Sequence, residues 1–392
     1  MCLSICSQRD VRRILVLLVA ISFTAHIYAI AASASSQRDA AQHDWPGRGW
    51  RVAIEIARKL LPISHNDTLP KSEPNAKQMT FTLDRGNERM NATFVSLARN
   101  SELPELLRSI QDVEDRFNQN WHYDWVFLND EDFTEEFKVA TTAAVSGRVR
   151  YGKVGAEHWS FPDFIDSQRA QTAREEMKDV KYGDSISYRH MCRYQSGFFY
   201  RHPLVLEYDW YWRVEPSIEL FCDIPYDPFR WMAENGKKYS FVLSPNELKE
   251  TVPSLWGHVR GFMEAYPEHI NGDNHLHFLS EDGGQTSNYC HFWSNFEIAS
   301  LEWFRSDAYN DFFNYLDSAG GFFYERWGDA SVHSIAAALL LKKGEIHFFD
   351  DIGYRHSPYN NCPRSPQKRL NQKCRCSADD NMEWAPSCKS IV

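Results

Sequence analysis

The sequence predicts an α/β fold, a mixed and mostly parallel central sheet flanked by helices. Three observations lead there. From about residue 78, short runs rich in aromatic and β-branched residues alternate with stretches whose apolar residues recur at helical spacing. The run 209-DWYWRV-214 reads as a buried strand that enters Glu215 and is stopped by Pro216, which bars an interior ladder from continuing. No G-x-G-x-x-G and no Walker A pattern occurs, so neither a dinucleotide fingerprint nor a P-loop is supported.

The elements follow in order. The run 92-ATFVSLA-98 is the first strand. Leu103, Leu106, Leu107, Ile110, Val113 and Phe117 then mark a helix, and 124-DWVFLN-129 is the second strand. Residues 164–181 and 187–200 read as helices, with Arg189 and Arg193 four apart on what looks like a surface face. After 209–214 come strands at 239-YSFVLS-244, 291-HFWSNF-296 and 345-EIHFFD-350. A helix from Asp329 to Lys342 precedes the last, with Asp329 as its expected N-cap. In such folds ligands sit past the carboxyl ends of the strands. Glu215 is therefore expected on a loop at the ligand face, where a carboxylate suits a hard divalent cation and the cation suits a diphosphate.

The flanks suggest a membrane-tethered domain. Residues 1–13 carry Arg9, Arg12 and Arg13 and read as a cytoplasmic tail. Residues 14–34 contain no charged side chain and are long enough to span a bilayer. A cleaved signal peptide, cut near Ala29 and Ala31, is the competing reading. Residues 35–77 are polar and read as a stem, leaving 78–392 as the globular domain. Of nine cysteines, seven follow the apolar stretch, so at least one is left over after pairing. The 362–388 group matches no common zinc spacing and is read as disulfides. The net charge of −10 argues against a broad nucleic-acid surface. The 13 Trp, 18 Tyr and 25 Phe are mostly core by ordinary burial trends, the alternative being stacking platforms for sugar rings or bases, for which 209–212, 291–296 and 322–327 are the candidate segments.

Several longer motifs resemble one family. The segments 211-YWRVEP-216, 222-CDI-224, 293-WSNFEIA-299, 326-RWGDASVHSIA-336 and 353-GYRHSPYNNCP-363 look like glycosyltransferase family 15, the fungal α-1,2-mannosyltransferases of the KTR and MNT type. So do 94-FVSLARNSEL-103, 126-VFLND-130 and 188-YRHMCRYQSGFFYRHPL-204. The resemblance implies a GT-A-like nucleotide-sugar-binding fold and a type II Golgi membrane protein with a lumenal catalytic domain. It also implies retaining transfer of mannose from GDP-mannose to mannose-terminated glycoprotein glycans, with Mn²⁺ as cofactor. Residue by residue, it makes Glu215 and His356 metal ligands, and Arg99 and Asn129 part of the guanosine pocket. Arg213, Tyr188 and Asp329 become activity-linked residues, and Glu297 the proposed nucleophile. Position 217 is Ser, so no second acidic ligand of a DxD motif follows Glu215. Two other classes remain at this point. One is a glycoside hydrolase using Glu215 and Glu297 as its carboxylate pair, and the other is a non-catalytic glycan-binding protein.

Overall fold

The structure is a computed structural model, and it describes residues 89–389 and 391. The expected tail, membrane segment and stem lie outside the described residues. No helix among the described residues is long and apolar enough to cross a membrane.

Among the described residues, ten strands form two sheets. They are β1 (Ala92–Leu97), β2 (Asp124–Asn129), β3 (Val149–Lys153), β4 (Trp210–Arg213), β5 (Ile218–Leu220), β6 (Tyr239–Phe241), β7 (Ile298–Ser300), β8 (Ile346–Phe348), β9 (Tyr354–His356) and β10 (Tyr359–Asn361). The central sheet has the order β3-β2-β1-β4-β7-β6-β8. Its β1, β2, β3 and β4 pair in parallel, as do β6 and β8, while β7 runs antiparallel between β4 and β6. Both faces are covered, and successive strand residues serve opposite faces. Phe94, Trp125, Phe127 and Trp212 pack on one side. Val95, Val126, Leu128 and Tyr211 pack on the other. This is why 92–97, 124–129 and 210–213 read as near-continuous apolar runs.

The second sheet, β10-β9-β5, is small and antiparallel. Its outer strand β5 is satisfied by the Leu103–Arg116 helix: the amides of Ile218 and Leu220 donate to Ser109 Oγ (3.1 Å) and Asp112 Oδ2 (3.1 Å). Disulfides Cys222–Cys374 and Cys362–Cys376 tie this sheet to the C-terminal segment, and Cys290–Cys388 ties that segment to the core. Cys222, Cys374 and Cys376 lie close enough together to suggest a metal cluster, but all three are half-cystines. Cys192 is the leftover thiol, and it is buried.

Four expectations need correction. Residues 291–296 form no strand. Amides of His291 and Trp293 donate to Pro245 and Leu243 carbonyls, but Pro245 has no N–H to return, so the ladder stops and the strand begins at Ile298. Asp329 is the first helical residue, not the cap; Gly328 holds the cap position. Arg189 and Arg193 are not on a surface face, being 1% and 5% exposed. Arg193 pairs through two nitrogens with Asp317 (2.7 and 2.8 Å), and Arg189 is spent on main-chain carbonyls. The aromatic segments 210–212 and 322–327 are core: Tyr211, Trp212, Phe322, Phe323 and Trp327 are all buried.

Candidate active site

A cavity of about 690 Å³ opens beyond the carboxyl ends of β1, β2 and β4. Three chain reversals build its floor: residues 97–99 after β1, Asn129 and Asp130 after β2, and 213–217 after β4. The last of these answers why a buried strand runs into charge. Pro216 fixes one turn residue, and Ser217 takes the left-handed backbone (φ 66°) that a tight reversal requires. The chain therefore leaves the central sheet at Glu215 and enters the small sheet at Ile218. In that sheet Ile218 lies opposite His356, so β-pairing brings His356 back to the cavity beside Glu215.

Arg213 organises this floor. Its Nε donates to Glu215 Oε1 (2.7 Å) and its Nη1 to Asp329 Oδ2 (2.5 Å). Ser294 Oγ donates to the same Asp329 oxygen (2.7 Å). Burial opposes the guanidinium charge, but Glu215, Asp329 and Glu297 outweigh it and hold its pKa well above the usual value. Burial likewise works against the Asp329 carboxylate, yet Arg213 and His333 keep it below the usual range. Arg213 is thus committed to orienting two carboxylates.

The imidazole of His356 is held below its ordinary pKa, mainly by burial against the pull of Glu215, and so stays neutral. Its buried Nδ1 has no hydrogen-bond partner. A neutral imidazole with an orphaned nitrogen beside a carboxylate fits a divalent cation, and a mixed oxygen–nitrogen donor pair suits Mn²⁺.

Arg99, Asn129, Tyr188, Arg213, Glu215, Asp329 and His356 all line this one cavity. Glu297 does not. Its backbone lies just before β7, at the cavity edge of the sheet as expected, but its side chain turns inward and is 0% exposed. There the hydroxyls of Tyr211 and Tyr239 donate to it, the latter at 2.7 Å. His333 completes the pocket. Its Nε2 faces the Gln195 carbonyl (3.0 Å), which can only accept, so Nε2 carries a proton. Its Nδ1 faces the Glu297 carboxylate at 3.0 Å, with a further proton held between them. The expectation that Glu297 is presented to a ligand is corrected by these three partners.

Other cavity residues were not singled out from sequence. Glu247 accepts from Arg326 Nη2 (3.3 Å) and Ser331 Oγ (3.1 Å). Arg326 lies within the quoted 326–336 motif, but Glu247 sits in a polar loop with no distinguishing pattern. Of the proposed stacking walls, only 291–296 contributes, through Trp293. Trp159, Tyr182, Tyr188 and Tyr359 supply the other cavity aromatics.

A mostly parallel α/β sheet with a ligand cavity at its carboxyl ends, floored by an arginine-ordered carboxylate pair beside a neutral imidazole, is an arrangement a metal-assisted glycosyltransferase can use. The sequence profile of the glycolipid 2-alpha-mannosyltransferase family matches residues 53–390, and the chain belongs to that family. It is 57% identical over 299 residues to glycolipid 2-alpha-mannosyltransferase 2 of Candida albicans, a match covering 76% of this chain and 65% of the relative's length. It is 58% identical over 333 residues to alpha-1,2 mannosyltransferase KTR1 of Saccharomyces cerevisiae, covering 84% and 85%. Among solved structures it is similar to core-mannan synthase A (CmsA/Ktr4) from Aspergillus fumigatus in its Mn/GDP form. That match has a TM-score of 0.72 and 38% identity, and it covers 83% of this chain and 89% of the other. The chain is a mannosyltransferase.

Proposed function

We propose that this mannosyltransferase moves mannose from GDP-mannose onto mannose-terminated glycans of glycoproteins, forming an α-1,2 linkage with retention and using Mn²⁺. The carrying observation is the convergence of Glu215, His356, Arg213 and Asp329 on one cavity at the carboxyl ends of the strands. Glu215 and His356 would hold the cation, which when bound neutralises charge growing on the departing diphosphate. Arg213 keeps Glu215 oriented. The Asp329 and Glu247 carboxylates face the same space and would favour the positive charge that develops on the sugar ring. Arg99 and Asn129, at the ends of β1 and β2, are read as the nucleoside side of the cavity.

Retention is read as same-face delivery of the acceptor, because Glu297 is sealed from the cavity by Tyr211, Tyr239 and His333. The same burial removes the Glu215–Glu297 pair that a hydrolase would need. Three disulfides suit an oxidising compartment, and the uncharged 14–34 stretch suits a single-pass anchor, so we place the enzyme in the Golgi membrane with its catalytic domain lumenal.

The test is incubation of the full chain with labelled GDP-mannose, Mn²⁺ and α-methylmannoside. A labelled disaccharide sensitive to α-1,2-mannosidase is expected. Release of free mannose alone would point to hydrolysis, and an intact donor to glycan binding without turnover; either overturns the reading.

A further inference from the structure

The cavity holds four cationic side chains, Arg99, Lys181, Arg213 and Arg326. Three are engaged. Arg213 serves Glu215 and Asp329, Arg326 serves Glu247, and Arg99 Nη2 donates to Ser187 Oγ (2.7 Å). Lys181 makes no hydrogen bond and no ion pair with any described residue; its ammonium rests 5.3 Å from the centre of the Tyr182 ring. Lys181 is exposed, but it lines the cavity, so its ammonium stands at the rim.

The loop that carries it is fixed in place. Consecutive turns close through Val180 N to Met177 O (2.9 Å), Gly183 N to Val180 O (2.8 Å) and Ser185 N to Tyr182 O (3.2 Å). A Cβ at Gly183 would lie 1.9 Å from the Met177 carbonyl oxygen, so only glycine allows this closure. The buried Arg189 guanidinium grips the loop from beneath, donating to Gly183 O (2.6 Å) and Ser185 O (3.3 Å), and to Glu325 O (3.1 Å) on the far side. Above, the Tyr182 ring stacks on Tyr188 at 4.5 Å. A loop held at several points thus presents one ammonium without a partner at a cavity whose other cations each have at least one hydrogen-bond partner.

We propose that Lys181 contacts the diphosphate of the donor, on the side of the cavity that Glu215 and His356 leave open. The proposal rests on the GDP-mannose reading. A diphosphate carries more negative charge than one divalent cation neutralises once a ligand carboxylate is counted, and a point-like ammonium is a common phosphate partner. Since the departing nucleotide gains charge as the sugar bond breaks, the contact would strengthen along the reaction.

The experiment is calorimetric titration of the full chain with GDP and with guanosine, both with Mn²⁺, for wild type, Lys181→Ala and Lys181→Arg. Lys181→Ala is expected to weaken GDP about tenfold, a change of about 1.4 kcal/mol. Guanosine affinity and melting temperature should stay unchanged, and Lys181→Arg should recover most of the GDP loss. Unchanged GDP affinity in Lys181→Ala would overturn the proposal, as would equal losses for GDP and guanosine. A drop in kcat/KM for acceptor alone, with GDP binding intact, would also overturn it by placing Lys181 on the acceptor. A wild type that binds guanosine but gains nothing from the diphosphate would overturn the donor reading and the Lys181 contact with it.

Discussion

Replacing Glu297 by Gln separates a buried structural carboxylate from a nucleophile. The carboxylate now receives the Tyr211 hydroxyl, the Tyr239 hydroxyl and the proton shared with His333. An amide offers a single acceptor oxygen, so at least one fully buried donor loses its acceptor, and the contact with His333 becomes neutral. An unsatisfied buried group costs about 1–3 kcal/mol, and weakening one charge-assisted bond adds about 1 kcal/mol. The sum is about 2–4 kcal/mol. At roughly 2–4 °C per kcal/mol for a large domain, Tm should fall by roughly 4–16 °C. The Arg213 amide donates to the Glu297 main-chain oxygen (2.9 Å), a bond the substitution leaves in place, so the cavity floor should hold. Below the thermal transition, kcat per folded molecule is expected within about threefold of wild type, less than about 0.7 kcal/mol. The assay pairs a thermal melt with mannose transfer at saturating donor and acceptor. A loss on the order of a thousandfold with Tm and GDP affinity unchanged is what loss of an essential nucleophile would give, and it would refute this reasoning. So would a mannosyl adduct trapped on Glu297.

Three other outcomes are expected. His356→Ala should abolish the Mn²⁺ dependence of GDP binding, as EDTA should in wild type, with little change in melting temperature; GDP binding of full strength in EDTA would count against the cation site. His190 sits among Trp159, Phe161 and Phe323, and burial pushes its pKa down to about 4. The unfolded chain takes up that proton first, near pH 6.5. The stability that the neutral ring contributes is therefore full above about pH 6.5 and is lost as pH falls towards about 4. His190→Leu should flatten the stability profile in that window by up to one proton, and a slope identical to wild type in denaturant titrations would contradict it. Removing Cys290–Cys388 by Cys290→Ala with Cys388→Ala opens a link spanning 98 residues and should cost about 2–5 kcal/mol, read as an earlier denaturant midpoint.

The central strands were legible because both faces of β1, β2 and β4 are buried, and the sequence there is apolar without relief. The segment 291–296 misled for a specific reason. Its composition suits a strand, but the absent N–H belongs to Pro245, some fifty residues away in the chain. Glu215 and His356 were readable as a pair only through the family resemblance, since the register that joins them depends on β5 and β9 pairing across the chain. The direction of the Glu297 side chain was not legible at all. It is set by hydroxyls on β4 and β6 and an imidazole on the Asp329–Leu340 helix, three segments no local pattern connects. Arg189 and Arg193 show the converse. Four-residue spacing suggested a solvent face, and burial by Asp317 and by the 183–185 carbonyls overrode it.

The small sheet brings together parts that lie far apart in the chain, His356 and Glu215 among them. Strand β10 is followed at once by Cys362 and β5 one residue later by Cys222, and both half-cystines lead to the 374–376 segment. That segment also returns hydrogen bonds to the end of β5, from Arg375 N to Phe221 O (2.9 Å) and from Asp223 N to Gln372 O (2.7 Å). A slip of one residue between β5 and β9 would turn His356 to the opposite face. The C-terminal segment therefore works as a gauge block. It lines no part of the cavity, but it fixes the spacing between an imidazole and a carboxylate, and on the proposed reading mild reduction should be felt as a fall in cation affinity before the central sheet begins to unfold.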